Sequence, residues 1–163
     1  VGCERQAVLT ILEDTRNQIG KHKNIAAYCK QNGIRIERCR LLVGDYMLAG
    51  AGGGGISVDT KIGVPEIASN CFQEHERFKA ECVKAQECGI RLIVLIEEVP
   101  PGGDVANWQS PLDRYGKKKY KFDPVTLAKV MNTMTERYGV LFRFCDGRST
   151  GKVLLEYLKG ERT

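Results

Sequence analysis

The sequence predicts a layered α/β domain. Strand-like apolar runs alternate with helical ones along most of its 163 residues, and the run from Leu92 to Ile96 is apolar without interruption. No internal repeat or shift of composition divides the chain, so one domain is expected over 1–163, with its core about 7–158.

The elements follow in order. "AVLTILED" (Ala7 to Asp14) is a β-rich run ending in acids, the expected first strand. "NIAAYCKQNG" (Asn24 to Gly33) has helical apolar spacing, a candidate Asn N-cap and a Gly stop. "IRIERCRLLVGDYML" and "ISVDTKIG" read as two strand-like runs, joined by "AGAGGGG" as a flexible hairpin connection. Val64 to Gly89 is helical, with Pro65 tolerated in its first turn and an expected break near Asn70. Ile90 to Glu98 reads as a central strand covered on both faces. Pro100 to Lys121 is polar and longer than an ordinary connection, which predicts a mobile, basic loop. A capped helix from Asp123, a strand "VLFRFCD" and a closing helix "STGKVLLEYLKG", with the Ser as its cap, complete the chain.

Bulk properties narrow the function classes. The 42% hydrophobic and 28% charged content is that of a globular protein, and the net charge of +5 permits a nucleic-acid partner without requiring one. No apolar run approaches the ~20 residues needed to span a bilayer, so an intracellular, cytoplasmic protein is expected. Seven cysteines without a Cys-x-x-Cys pair read as free thiols. Cys71, His75 and Cys82 would share a helical face, but no fourth zinc ligand is evident, and structural thiols are the favoured reading.

The charged residues Asp45, Asp59 and Lys61 interrupt segments that otherwise read as buried, which is costly unless something compensates them. On a strand Asp59 and Lys61 share a face, opposite Val58 and Thr60. A hairpin brings Asp45 toward the Asp59 end. Two carboxylates with room for waters suit Mg²⁺ or Mn²⁺, and the lysine can orient a water. Such a set suits phosphodiester hydrolysis. Asp14, with Glu13 beside it and Arg16 two residues on, adds an acid at the end of the first strand. Taken singly, Gly-Asp is a turn and Asp-x-Lys a solvated strand end. Their order along the chain carries the functional reading.

That order resembles the XPF-type nuclease domain of the PD-(D/E)XK restriction-endonuclease-like superfamily. The stretches concerned are "LEDTRNQ", "VGDYML", "SVDTKIG", "HERFKAECVKA" and "IRLIVLIEE", which cover most of residues 7–98. The resemblance implies a three-layer α/β/α fold with a central mixed sheet. It also implies a metal-dependent DNA endonuclease, selective for branched or flap DNA and working as a homodimer. Asp45 and Asp59 would be metal ligands with the backbone carbonyl of Thr60, and Asp14 a further metal contact. Lys61 would be the catalytic lysine, and Arg16 and Arg77 would face DNA. Asn17 stands where the family has Glu, and Asp59-Thr60-Lys61 replaces Glu-Arg-Lys. The alternative is a non-catalytic DNA-binding or scaffold subunit with a decayed site.

Two further stretches carry expectations. "RYGKKKYK" interleaves Lys117, Lys118 and Lys119 with tyrosines, a pattern for a DNA-engaging flap or a solvated loop. The glycine run lacks the Gly-Lys-Ser/Thr ending of a nucleotide-binding loop and reads as a pliable hairpin tip.

Overall fold

The computed structural model describes residues 7–50 and 55–163. The centre of the tip "AGAGGGG", 51–54, lies outside the described residues, so the expectation of a pliable tip does too. The strands are β1 (Thr10–Asp14), β2 (Arg35–Cys39), β3 (Tyr46–Leu48), β4 (Ile56–Lys61), β5 (Arg91–Ile96) and β6 (Leu141–Phe144). They form one six-stranded mixed sheet in the order β2-β1-β3-β4-β5-β6. β1 pairs parallel with β2 and antiparallel with β3; β3 pairs antiparallel with β4; β4, β5 and β6 run parallel.

Helices cover both faces. α1 (Lys23–Gln31) and α5 (Thr150–Leu158) pack on one side; α2 (Val64–Phe72), α3 (His75–Glu87) and α4 (Pro124–Tyr138) lie on the other. Alternation along β5 serves both cores. Ile93 and Leu95 join Ile11, Tyr46, Val58 and Leu154 toward α1 and α5, while Leu92, Val94 and Ile96 join Ile67, Phe78, Leu127 and Met131. Each such fully buried aliphatic side chain contributes about 1.5–3 kcal/mol. The expected three-layer α/β/α architecture is what forms.

Local signals explain most boundaries. Asp123 caps α4 by accepting from the Thr126 amide at 3.1 Å, Pro124 follows it, and Gly139 ends the helix at φ 71°. α2 and α3 are separate helices that meet at Gln73–Glu74, slightly beyond the expected break. Two expected caps are corrected. α1 starts two residues earlier, with His22 at its N-cap position, and the Asn24 side chain donates instead to the Gly147 carbonyl at 2.9 Å. Ser149 makes no capping bond, and the neighbouring Thr150 hydroxyl bonds Glu97 at 2.5 Å.

The run from Ile34 to Leu48 is not one strand. β2 lies at the sheet edge beyond β1, whereas β3 pairs on the other side of β1, so the chain leaves the sheet between them. Gly44, at φ 72°, belongs to that crossing. Burial in this segment could not distinguish one long strand from two short ones with a turn between.

The 100–121 segment is more anchored than its polar composition suggests. Val105 and Trp108 are buried, and the Trp108 ring stacks on Phe122 at 4.9 Å. The indole N–H donates to Glu98 at 3.0 Å. Its tip returns through a bridge between Leu112 and Lys118.

α1 and α5 touch so closely that a Cβ at Gly151 would stand 2.4 Å from Cβ of Tyr28. Gly151→Ala is therefore expected to cost about 1–3 kcal/mol by overpacking. Urea unfolding would measure it, and the added cost of Gly151→Ala should shrink in a Tyr28→Gly background, which removes the opposing Cβ.

Candidate active site

Three chain segments meet where β1 and β4 end and β3 begins. The Asp14 amide donates to the Asp45 carbonyl at 2.8 Å, and the Asp45 amide donates to the Val58 carbonyl at 2.9 Å. These backbone bonds set Asp14, Asp45 and Asp59 around one cleft of about 780 Å³. Lys61, Glu66, Arg77, Glu81 and Lys84 also line it, so α2 and α3 supply its far wall.

Asp59 is only 6% exposed, and its Oδ2 meets the Lys61 ammonium at 2.9 Å. Burial raises the proton affinity of Asp59, and the nearby Asp45 and Glu81 raise it further, against the opposing pull of Lys61. Burial works against the Lys61 ammonium, but the charge and hydrogen bond of Asp59 hold its pKa above the ordinary lysine range. Burial, with Asp45 and Glu81 nearby, thus holds the Asp59 carboxyl well above the usual carboxylate range despite its lysine partner.

Asp45 is held from one side. Its Oδ2 accepts from both the backbone N–H and the hydroxyl of Thr60, each at 2.8 Å. Behind Thr60 stands His22, 8% exposed, with Nε2 at 3.2 Å from Oγ1. Burial lowers the His22 pKa, which keeps its ring neutral at ordinary pH.

Asp14 is differently engaged. It is 1% exposed, and Arg16 grips it through the backbone amide at 2.9 Å, through Nε at 2.6 Å and through Nη2. Burial works upward on Asp14, but the hydrogen bonds and charge of Arg16 outweigh it and hold the carboxyl below its ordinary pKa. Asn17 lines the cleft, and its buried Nδ2 has no hydrogen-bond partner among the described residues.

The donor set can be tested against a hard divalent cation. Among the described residues, nothing donates to Asp45 Oδ1, and no three His, Cys, Asp or Glu side chains converge closely enough to hold a metal ion. Mg²⁺ is commonly held by one or two carboxylates plus waters and substrate phosphate. Asp45 and Asp59, with surplus negative charge and open volume, fit that pattern. Asp14, committed to Arg16, fits it less well.

Cys71, His75 and Cys82 do not converge as a ligand set among the described residues; both thiols are buried, which pushes them up to about 12, and His75 Nδ1 lies 3.1 Å from the Cys71 carbonyl. Lys117, Lys118 and Lys119 are exposed near the tip of the 100–121 segment and do not line the cleft. Arg77 does line it, at 79% side-chain exposure and 3.8 Å from Glu74.

The sequence singles out neither Glu81 nor His22 as a site residue. Glu81 accepts the Gly44 amide at 3.0 Å and faces the Asp45–Asp59 pair. Its only sequence signal is helical spacing from Arg77, four residues before it. His22 carried no motif at all.

The described residues form a three-layer α/β/α fold around a mixed sheet, with Asp45, Asp59 and Lys61 gathered in one cleft where the central strands end. No known family model matches the chain, and no curated protein matches it. Among solved structures, it is similar to XPF from Aeropyrum pernix, with a TM-score of 0.61 and 16% identity, over 92% of this chain and 63% of that one. XPF from Aeropyrum pernix in complex with DNA gives a TM-score of 0.60 and 15% identity, over 94% of this chain and 64% of that one. The chain thus spans a little under two thirds of those chains, and it shares their fold. No helix is long and apolar enough to cross a membrane among the described residues.

Proposed function

We propose that this chain is a DNA endonuclease that hydrolyses phosphodiester bonds with Mg²⁺ or Mn²⁺. The observation that carries the reading is the convergence of Asp45, Asp59 and Lys61 in one open cleft, against the cost of burying that charge without use. Asp45 and Asp59 would hold the cation, with the Thr60 carbonyl beside them. When bound, the cation would neutralise phosphate oxygens and favour ionisation of the attacking water. Lys61 offers a proton donor and a positive charge for the phosphate, while Arg16, Arg77 and Lys84 line the cleft as contacts for flanking phosphates.

Branched or flap DNA and a homodimeric state belong to the same proposal, on the likeness to XPF. A groove between α3 and α4, about 240 Å³, carries Lys79, Lys129 and Arg137 and supports a wider DNA contact. Lys117, Lys118 and Lys119 support contact only with DNA that extends beyond the cleft.

The test is cleavage of labelled single-stranded, duplex, flap and four-way-junction DNA with Mg²⁺, Mn²⁺ or chelator. Metal-dependent cutting is expected, fastest on a branched substrate, and sedimentation would report the dimer. One observation favours a second reading. Asp14 is occupied by Arg16, and Asn17 replaces the family's acid with an unpartnered amide. Intact DNA binding with no cutting under any metal would establish that reading, a DNA-binding subunit with a decayed site.

A further inference from the structure

We infer that His22 is a positioning residue for Asp45, acting through the Thr60 hydroxyl so that one carboxylate oxygen of Asp45 is held and the other is left for a ligand. The inference rests on the metal-site reading of Asp45, but its primary readouts need no metal.

Proton counting carries it. A threonine hydroxyl has one proton to donate and lone pairs to accept with. Thr60 Oγ1 lies 2.8 Å from Asp45 Oδ2, and a carboxylate there can only accept, so the hydroxyl proton points to Asp45. His22 Nε2, at 3.2 Å from the same Oγ1, must then be the donor in that contact. The chain of donors runs His22 Nε2–H to Thr60 Oγ1, and Thr60 O–H to Asp45 Oδ2. The Thr60 amide adds a second bond to Oδ2 at 2.8 Å. Oδ2 is therefore satisfied twice, and Oδ1 stays free of donors among the described residues.

The His22 ring is itself held. Its carbonyl accepts from the Ala26 amide at 3.1 Å, which ties it to the first turn of α1. Its ring stands edge-on to Tyr46, with centroids 5.8 Å apart at 72°. Tyr46 is anchored by its hydroxyl, which donates to Glu13 at 2.9 Å. A helix start and a strand start thus fix the imidazole from two sides. Alternation along β4 sets Thr60 with Val58 toward the α1 and α5 side of the sheet, opposite Asp59 and Lys61, so the support reaches Asp45 from that side. Thr60 is also the position where the Glu-Arg-Lys pattern carries arginine. Here a small hydroxyl and an imidazole behind it do the holding.

Groups that orient a metal-binding side chain typically change metal affinity 10–100-fold when removed. Four chains should be compared: wild type, His22→Phe, His22→Gln and Thr60→Val. ¹⁵N NMR of the metal-free wild type should show a protonated His22 Nε2. Hydrogen exchange of the Thr60 amide, which reports its bond to Asp45, should quicken about tenfold in His22→Phe and stay near wild type in His22→Gln, whose amide can donate in place of Nε2. Calorimetric titration with Mn²⁺ alone should weaken about tenfold in His22→Phe and Thr60→Val, with most of it restored in His22→Gln. An unprotonated Nε2, or unchanged Thr60 exchange in a folded His22→Phe, overturns the inference. Failure of the wild type to bind Mn²⁺ would instead sink the metal-site reading, and the two metal-free measurements would still decide the role of His22.

Discussion

Asp59→Ala is expected to reduce metal-dependent DNA cleavage by about a hundredfold to a thousandfold, the scale seen when a charge-stabilising group is removed from an active site. Asp59 is the buried member of the pair, so its loss removes a ligand and also frees Lys61 from its 2.9 Å partner. The milder change Asp59→Asn separates chemistry from stability. It should reduce cleavage as strongly, yet raise the melting temperature of the metal-free protein. The reason is the direction of the Asp59 shift: burial and the neighbouring Asp45 and Glu81 make the folded state hold its proton more tightly than the unfolded chain does.

The sign of the pH effect follows. A carboxyl with a raised folded pKa supports the fold fully below its unfolded pKa and loses that contribution as pH rises through its folded value. Above the ordinary histidine range, where the buried His22 no longer takes a proton in either state, metal-free stability should therefore fall from neutral toward mildly alkaline pH in the wild type, and fall less in Asp59→Asn. The raised Lys61 pKa acts only at higher pH, beyond the ordinary lysine range, and does not compensate in this window. Mn²⁺ prefers the ionised carboxylate, so its stabilisation of the wild type should be larger at alkaline than at acidic pH. Thermal melts across pH, with and without Mn²⁺, check all three statements. A wild type whose metal-free melting temperature rises from neutral toward mildly alkaline pH would contradict them.

Gly44→Ala is expected to be the most damaging single methyl in the described chain, costing about 3–4 kcal/mol. Gly44 sits at φ 72°, where an L side chain is strained, and its Cβ would lie 2.1 Å from Ser57 Oγ. Ser57 is fully buried and donates to the Val43 carbonyl at 2.7 Å, so its side chain cannot swing away without losing that bond. The Gly44 amide also binds Glu81. The substitution should therefore loosen Glu81 and Asp45 together. Ser57→Ala in the same chain should relieve the clash but not the backbone strain, recovering part of the loss in a denaturant titration.

Gly44 also shows how the sequence could be read and where it stopped being legible. As a sequence, "VGDYML" reads as part of one strand-like run, whereas Gly44 at φ 72° bends the chain before Asp45. Its clash partner lies on β4, thirteen residues on, and follows only from β3 pairing with β4. The alternation of "SVDTK" correctly separated Asp59 and Lys61 from Val58 and Thr60. It could not reveal that Thr60, on the other face, would still bond Asp45. The run from Ile34 to Leu48 was misread because edge and central strands share the same composition when both are short. The polar segment after Pro100 concealed an anchor, since a single Trp108 counts little in composition yet buries a large apolar surface.

The sequence by itself determined the layered α/β class, the two-sided strand β5, the capping of α4, and the acids and lysine on which the functional reading rests. These follow from side-chain alternation, caps and turn glycines, which act between near neighbours in the chain. Only the tertiary structure decided which of those acids remain available. It tied Asp14 to Arg16, brought Glu81 from α3 into the cleft and set His22 behind Thr60. Those contacts depend on which strands pair and which helix face turns inward, and long-range packing of both cores sets that.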